Sequence, residues 1–157
     1  MVAKRCCVLS GEKVKLSAII PVHNDAQHLR RCLTALRSST RVPDQIIVVD
    51  DSSTDDSGNC ARELGAQLVV LTQGPRGPAW ARNRGAGIAI GDVLLFIDAD
   101  VMVHSDTVSV IERKLIDHPE IAAFFGSYDL HPPGRGVVSQ YKNLTHHYVH
   151  QHARREA

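Results

Sequence analysis

Residues 93–103 read Val-Leu-Leu-Phe-Ile-Asp-Ala-Asp-Val-Met-Val, an uninterrupted apolar run that ends in two carboxylates one residue apart. A run that is apolar on both faces is typical of a strand in the middle of a mostly parallel sheet. Ligands of open α/β sheets collect outside the carboxyl ends of such strands. Asp98 and Asp100 are therefore candidate ligand-binding residues at the end of a buried strand.

Two interpretations of this acidic pair are open at the level of the sequence. No Lys or Arg stands beside the two carboxylates in the chain, so placing them together is costly unless a cation compensates them. Oxygen ligands of this kind suit Mg²⁺ or Mn²⁺ held jointly with substrate phosphates. The structural alternative is that one acid caps the following turn and the other is solvated.

Length and composition narrow the class of protein. The chain has 157 residues, near the common size of one domain, and its formal net charge of +1 gives no electrostatic case for a nucleic-acid partner. Its cysteines show no C-x-x-C spacing, which indicates reduced thiols. No apolar run approaches the ~20 residues of a membrane span. We expect a cytoplasmic protein, with attachment to the inner face of a membrane as an alternative.

The chain alternates between apolar runs and helical patterns. Strands are predicted at residues 16–21, 45–50, 66–71 and 121–125, in addition to the run that begins at residue 93. Asn24, with Gln27 three residues on, is predicted as the N-cap of the first helix. Another helix is predicted at 79–90 after Pro78; its small residues would let it approach the sheet closely. This alternation favours an α/β domain over residues 16–157, preceded by a flexible leader over residues 1–15.

A second acid-tipped strand strengthens the prediction of a site. Asp50 and Asp51 end the strand predicted at 45–50, so they would lie along the same sheet edge as Asp98 and Asp100. One pair could accept hydrogen bonds from a nucleobase or ribose while the other meets metal and diphosphate. The alternative for Asp51 is a turn residue.

Two arginines and a histidine cluster carry further open questions. Arg76 and Arg82 lie in and just after the Gly-Pro-rich loop at residues 73–78 and could offer charge to a diphosphate, although Arg82 could equally pair with a surface acid. His146, His147, His150 and His152 have helical spacings that can hold zinc, but a solvated or partner-facing helix over 137–152 is favoured.

Two common nucleotide-binding signatures are missing from the sequence. The turn after the first strand, residues 21–25, contains no glycine, which argues against a Gly-x-Gly-x-x-Gly dinucleotide fold. No Gly-x-x-x-x-Gly-Lys-Ser/Thr phosphate loop occurs either. A nucleotidyltransferase would carry a glycine-rich segment with Arg and Lys directly after the first strand, and this is also absent.

Four stretches together resemble a known family. They lie at residues 17–25, 46–55, 77–85 and 96–100, and they occur in the order and spacing of family 2 glycosyltransferases of the GT-A fold. The resemblance covers about residues 16–128, the N-terminal, nucleotide-sugar-binding part of that family. It implies a three-layer α/β sandwich, with a mostly parallel central sheet between helices on both faces, cut short at the C-terminus.

The resemblance also implies roles for individual residues. The implied nucleotide-binding residues are Pro21, His23, Asn24, Asp50, Asp51, Arg76, Arg82 and Asp98. Asp51 would bind the base, with Asp50 beside it. Asp98 would approach the ribose or the water shell of a Mg²⁺ or Mn²⁺ ion, and Asp100 would ligate that ion directly.

As an activity, the resemblance implies transfer of a sugar from a nucleoside-diphosphate-sugar, most commonly a UDP-sugar, to a hydroxyl of a saccharide, lipid or other acceptor, with inversion. Inverting members carry a catalytic carboxylate on the acceptor side of the site. In this protein the resemblance places that carboxylate downstream of residue 157. The alternative is a module that binds the nucleotide-sugar without transferring it. If the acceptor-side segment is absent, the apolar surface that it would cover is exposed, and this would favour self-association.

Overall fold

The computed structural model describes residues 1–4, 14–126 and 148 of the chain. The strands and helices are β1 (Val2–Lys4), β2 (Leu16–Val22), α1 (Ala26–Arg37), β3 (Gln45–Asp51), α2 (Ser57–Glu63), β4 (Gln67–Leu71), α3 (Pro78–Ile88), β5 (Val93–Phe96), α4 (Thr107–Asp117) and β6 (Ala123–Phe124). The chain divides into two units, Met1–Phe124 and Phe125–Ala157. The fold and the candidate site belong to the first unit.

A single sheet in the order β4-β3-β2-β5-β1-β6 forms the centre of this unit. Strands β4, β3, β2 and β5 are parallel, whereas β1 is antiparallel to both β5 and β6. The chain runs outward from β2 through β3 to β4 and then crosses back to form β5 on the other side of β2. The strand order therefore reverses between β2 and β5, which is where ligands bind in open α/β sheets.

The predicted layered α/β architecture is confirmed, and strand alternation explains it. Ile46 and Val48 of β3 belong to a core that also contains buried residues of α1, α2 and α4. Ile47 and Val49, which point to the opposite face, pack with Ala81 of α3. Because both faces of β2, β3 and β5 are covered, these strands read as unbroken apolar runs.

The predicted flexible leader over residues 1–15 is wrong for its first and last residues. Residues 2–4 form β1, in which Val2 pairs with Leu95 and is only 3 % exposed. Val14 is also fully buried and belongs to the main core. A three-residue strand has no periodic pattern that could be detected in the sequence, and its position depends on the edge that β5 offers. Residues 5–13 lie outside the described residues.

Near the other end, the strand predicted at 121–125 is present as the shorter β6. The predicted last helix over 137–152, with its four histidines, lies outside the described residues except for Tyr148. None of the helices within the described residues is both long enough and apolar enough to cross a bilayer.

Helix α1 begins differently from the prediction. Asn24 is not its N-cap, because Asn24 has a positive φ of 52° and the helix starts two residues later. The Oδ2 atom of Asp55 instead accepts the N–H of Ala26 at 3.0 Å. The Oδ1 atom of the same carboxylate accepts the N–H of Ser57, the first residue of α2, also at 3.0 Å. One side chain thus satisfies a free N–H group at the start of each helix.

The close approach of α3 to the sheet is confirmed at Gly85. A Cβ atom at this position would lie 2.5 Å from Cγ2 of Ile19 and 3.1 Å from Cγ2 of Val49. Since real Cβ atoms do not approach other heavy atoms this closely, only glycine allows the helix to lie at this distance from the sheet. Gly87, two residues further along the helix, has no such neighbour within 4 Å.

Gly85→Ala should therefore lower the free energy of unfolding by about 1–3 kcal/mol, because the added methyl group overpacks the contact with Ile19. Gly87→Ala is the matched control in the same helix and should raise it by about 0.5–1 kcal/mol, through helix propensity. Urea unfolding of both variants measures the difference. Equal effects of the two substitutions would contradict the close packing.

Asp55 should make stability depend on acid pH. Burial opposes ionisation, but the hydrogen bonds from Ser57 and Ala26 outweigh it, so the pKa of Asp55 lies below its usual value. The stabilisation is fully present above the ordinary aspartate pKa of ~3.9 and is lost as the pH falls through the lower folded pKa. Wild type should be more stable than Asp55→Asn near neutral pH, and this difference should shrink in acid.

Urea midpoints measured from neutral to acid pH test this. Asp117→Asn is the control, because the side chain of Asp117 is exposed and forms no hydrogen bond with another described residue. A difference between wild type and Asp55→Asn that stays constant as the pH falls would count against the role of the ionised carboxylate.

Candidate functional site

Residues from three adjacent strands meet at the carboxyl edge of the sheet. Strand β2 leads into His23 and Asn24, β3 ends at Asp51, and β5 leads into Asp98 and Asp100. Since β2 lies between β3 and β5, the last two groups are separated by two strand spacings, or about 10 Å. The predicted alignment of the acids along one edge is therefore present.

Pro21 lies inside β2, in register with Val49 of β3. On its other side, the pairing between β2 and β5 ends at Ile19, whose carbonyl accepts the N–H of Ile97 at 3.1 Å. Residues two apart in a strand direct their backbone groups to the same side, so the N–H that proline lacks would face β5 where the pairing has ended. Proline is therefore tolerated in a central strand at this point.

Asp51 is the most constrained polar residue of the site. Its side chain is buried, at 3 % exposure, on the face of β3 that packs against α3. Its Oδ2 atom accepts the backbone N–H groups of Arg76 at 2.9 Å and Gly77 at 2.7 Å. Its Oδ1 atom has no hydrogen-bond partner. Among the described residues, no other buried side-chain oxygen or nitrogen lacks a partner.

A buried acceptor without a partner costs roughly 1–3 kcal/mol, and most such atoms in folded proteins are paired. The Oδ1 atom of Asp51 therefore retains the capacity to accept a hydrogen bond that the described residues do not supply. The alternative interpretation, that Asp51 is a turn residue, accounts for its Oδ2 atom, which binds the loop before α3, but not for Oδ1.

The conformation of the loop before α3 directs the backbone N–H groups of Arg76 and Gly77 towards Oδ2 of Asp51. Gly77 has a φ of 90°, in the left-handed region that favours glycine, and Pro78 follows as the first helical residue. The N–H of Arg76 thus binds Asp51, while its guanidinium donates to Oε1 of Gln73 at 2.6 Å and lies over the ring of Trp80. The predicted approach of the Arg76 side chain to the base or diphosphate stays a prediction.

The side chains of Asp50 and Asp51 point to opposite faces of the sheet, which corrects the prediction that the two lie side by side in the site. Successive residues of a strand point to opposite faces, so Asp50 lies on the α2 side of the sheet. Its Oδ1 atom accepts the N–H of Ser53 at 2.8 Å, and its Oδ2 atom lies 3.4 Å from where a Cβ of Gly58 would be. Asp50 therefore stabilises the turn between β3 and α2.

His23 and Asn24 connect the loops that follow β2 and β3. The Nδ1 atom of His23 lies 2.7 Å from the backbone oxygen of Asp51, so Nδ1 carries the proton and donates. In the neutral ring, Nε2 is then an acceptor for Nδ2 of Asn24 at 3.2 Å. The Oδ1 atom of Asn24 in turn accepts the N–H of Thr54 at 2.7 Å. The exposed ring of His23 is thereby held beside Asp51.

Asp98 is compensated by a residue that the sequence does not place near it. The guanidinium of Arg82, on α3, forms an ion pair with Oδ1 of Asp98. The open alternative for Arg82, pairing with an acid, is therefore the one observed, and the acid is itself a predicted site residue. Asp100 is exposed and forms no hydrogen bond or ion pair with another described residue.

The thiol of Cys32, on α1, reports the electrostatic effect of these two acids. Burial, followed by the negative charges of Asp100 and Asp98, raises the pKa of Cys32 to about 12. Within residues 1–4, 14–126 and 148, no group of three or more His, Cys, Asp or Glu side chains could hold a metal ion by itself.

One part of the site region was missed by the sequence analysis. The guanidinium carbons of Arg76 and Arg84 lie over the ring of Trp80, 4.9 Å and 5.8 Å from its centroid. The spacing of Trp80 and Arg84 by four residues on a helix was a usable signal, since such residues are neighbours on its surface. Arg76 precedes the helix and reaches the ring only through the fold of the loop.

Comparison with known proteins agrees with this geometry. The family model "Glycosyl transferase family 2" matches residues 17–155. The chain is 31 % identical over 107 residues to the glycosyltransferase GlyA of Streptococcus pneumoniae, covering 66 % of this chain and 15 % of that protein. The chain thus spans a small part of the length of this relative.

Solved structures show the same fold. TarS from S. aureus (residues 1–349) superposes with a TM-score of 0.62 at 26 % identity, covering 66 % of this chain and 33 % of that one. Glucosyl-3-phosphoglycerate synthase from Mycobacterium tuberculosis gives a TM-score of 0.56 at 25 % identity, covering 66 % and 40 %. Both are GT-A glycosyltransferases. With the family match over most of its length, this chain belongs to glycosyltransferase family 2.

Proposed function

We propose that this chain forms the nucleotide-sugar-binding part of an inverting glycosyltransferase, which transfers a sugar from a nucleoside-diphosphate-sugar to an acceptor hydroxyl. The observation that carries the proposal is the buried Oδ1 atom of Asp51, which has no partner among the described residues. A base N–H would satisfy this atom, while Oδ2 stays bound to the loop before α3.

A uridine nucleotide is the first candidate for the donor. Uracil carries one ring N–H that a carboxylate oxygen can accept. TarS has been solved in complex with UDP-GlcNAc, and the mycobacterial synthase with UDP and Mn²⁺. These ligands belong to those proteins and support the proposal for this chain by similarity. The sugar and the acceptor, whether a saccharide, a lipid or another hydroxyl compound, stay open.

The acids after β5 fit a divalent cation shared with a diphosphate. Mg²⁺ and Mn²⁺ are commonly held by one or two carboxylates together with substrate phosphates and water. Asp100 has an exposed carboxylate with no partner among the described residues, so we assign it as the direct ligand. Asp98 would lie beside it, near the ribose or the water shell of the ion. When bound, the ion would stabilise the negative charge of the departing nucleoside diphosphate.

The residues of this chain would then bind and orient the donor. Asp51 would hold the base, the ring of His23 would lie against the nucleoside, and Arg82 would keep Asp98 in place and add positive charge near the diphosphate. The predicted position of the catalytic base, downstream of residue 157, stays a prediction. So do the cytoplasmic location and the alternative of a donor-binding module without transfer.

Asp51→Asn should weaken UDP binding by about tenfold or more, or ~1–3 kcal/mol, because an amide N–H replaces the acceptor that faces the base. The remaining amide oxygen can still accept the N–H groups of Arg76 and Gly77, so the fold should be retained. Asp51→Ala is a poorer test, since it also releases the loop. Isothermal titration calorimetry and thermal unfolding provide the measurements.

A modified ligand provides the matched control. UDP methylated at the ring N–H should bind wild type more weakly than UDP does, whereas Asp51→Asn should discriminate much less between the two ligands. If methylation costs the same affinity in both proteins, Asp51 does not contact that N–H.

Mn²⁺ should strengthen UDP binding, and Asp100→Asn should remove most of that gain, by about tenfold or more, since even outer-shell partners of a metal site are worth 10–100-fold. Asp106→Asn is the control, because Asp106 is exposed nearby and makes no side-chain capping hydrogen bond. Calorimetry with Mn²⁺ and with a chelator distinguishes the variants. UDP affinity that is indifferent to the chelator would exclude the metal assignment.

A further inference from the structure

The ion pair between Arg82 and Asp98 joins helix α3 to the segment that follows β5. Nη2 of Arg82 donates to Oδ1 of Asp98, and the two side chains are 31 % and 56 % exposed. Ion pairs that are this exposed stabilise a fold only slightly, because water screens the charges. Breaking this pair therefore costs little when either side chain is offered another partner.

The backbone is held firmly on both sides of this pair. Helix α3 is fixed at its start by Asp51 and, three residues after Arg82, by the close approach of Gly85 to the sheet. The backbone oxygen of Asp98 accepts the N–H of Val101 at 3.0 Å, which holds the turn after β5. A change of partner at Arg82 or Asp98 therefore requires rotation of the side chains only.

Asp98 has a second prospective partner in the proposed site. Asp98 and Asp100 are exposed on either side of the buried Ala99. A divalent ion bound at Asp100 with Asp98 beside it, as proposed above, would share the Asp98 carboxylate with the guanidinium of Arg82. Two cations at one carboxylate repel each other, and the repulsion doubles when one of them is divalent. Arg82 and the ion therefore compete for Asp98.

A diphosphate would relieve this competition because it offers Arg82 another partner. Phosphate oxygens accept the parallel N–H groups of a guanidinium as a carboxylate does, and a diphosphate carries more negative charge than one carboxylate. Phosphate oxygens are also common ligands of Mg²⁺ and Mn²⁺. With the donor bound, the arginine and the ion each have an anionic partner without sharing Asp98.

We propose that Arg82 exchanges partners when the donor binds. Arg82 holds Asp98 before the donor arrives and then moves to the diphosphate, which leaves Asp98 available to the ion or to its water shell. This inference rests on the proposed function and specifies how its two ligands are coupled. The ion binds weakly without the donor, and each ligand raises the affinity of the other by the same factor, as linkage requires.

A simpler role for Arg82 predicts a change of the opposite sign. If Arg82 only orients Asp98 towards the ion, removing the guanidinium weakens binding of the ion with or without nucleotide. If Arg82 competes with the ion, removing the guanidinium strengthens binding of the ion alone. The sign of one measured change in affinity therefore decides between the two roles.

Mn²⁺ titrated in the absence of nucleotide measures this sign, with free Mn²⁺ followed by electron paramagnetic resonance. Arg82→Gln should bind Mn²⁺ about five times more tightly than wild type, a typical coupling between two ligands. Arg82→Lys keeps the positive charge and should bind Mn²⁺ more weakly than Arg82→Gln. Arg113→Gln, the control for net charge, should match wild type, because Arg113 is exposed on α4 and forms no ion pair with a described residue.

A double substitution assigns the effect to Asp98. In an Asp98→Asn background the competition is absent, so adding Arg82→Gln should not strengthen Mn²⁺ binding further. UDP and uridine, titrated with a chelator present, test the move to the diphosphate. Arg82→Gln should bind UDP about tenfold more weakly than wild type and uridine equally well. Thermal unfolding verifies that each variant is folded.

The inference is overturned if Arg82→Gln binds Mn²⁺ no more tightly than wild type, or if Arg113→Gln shows the same gain. It is also overturned by a gain that persists in the Asp98→Asn background, or by an Arg82→Gln variant that binds UDP as tightly as wild type. Failure of wild type to bind UDP would instead contradict the proposed function. The Mn²⁺ titrations contain no nucleotide, so they would still decide whether Arg82 competes for Asp98.

Discussion

The bond between the Asp51 carboxylate and the loop before α3 is the interaction on which the site depends. One oxygen joins the end of β3 to the backbone of Arg76 and Gly77, and so sets where α3 begins. The other oxygen is buried and has no hydrogen-bond partner among the residues that the structure describes. The same side chain therefore anchors the loop before α3 and, in the proposed function, would offer an acceptor to the base. A carboxylate is needed, since no neutral side chain has two oxygen acceptors.

The loops after β2 and β3 are held in uncommon conformations by hydrogen bonds between them. Asn24 and Ser52 both have positive φ angles, which cost roughly 1–3 kcal/mol each in residues other than glycine. Thr54 donates its N–H to Asn24, and Asp55 caps α1 from the other loop. These contacts offset the strain and fix the rim of the proposed site before a ligand arrives, so less order has to be gained on binding.

Helix α3 separates two kinds of positive charge because it lies so close to the sheet. The absence of a side chain at Gly85 lets the helix backbone pack on Ile19, which leaves one flank of the helix towards β5 and the other towards β4. Arg82 on the first flank neutralises Asp98, and Arg84 on the second remains without an acid among the described residues. One short helix thus places one arginine beside the proposed donor site and another on its opposite flank.

The sequence by itself determined the layered α/β fold, because unbroken apolar runs and 3.6-residue patterns report burial directly. It also determined which acids follow strands, and family membership followed from four short stretches. Only the tertiary structure decided what surrounds each acid. Strand alternation turned Asp50 away from Asp51, Arg82 reached Asp98 from a residue distant in the chain, and residues 2–4 became a strand against β5. These outcomes depend on contacts between elements far apart in sequence, which no local pattern records.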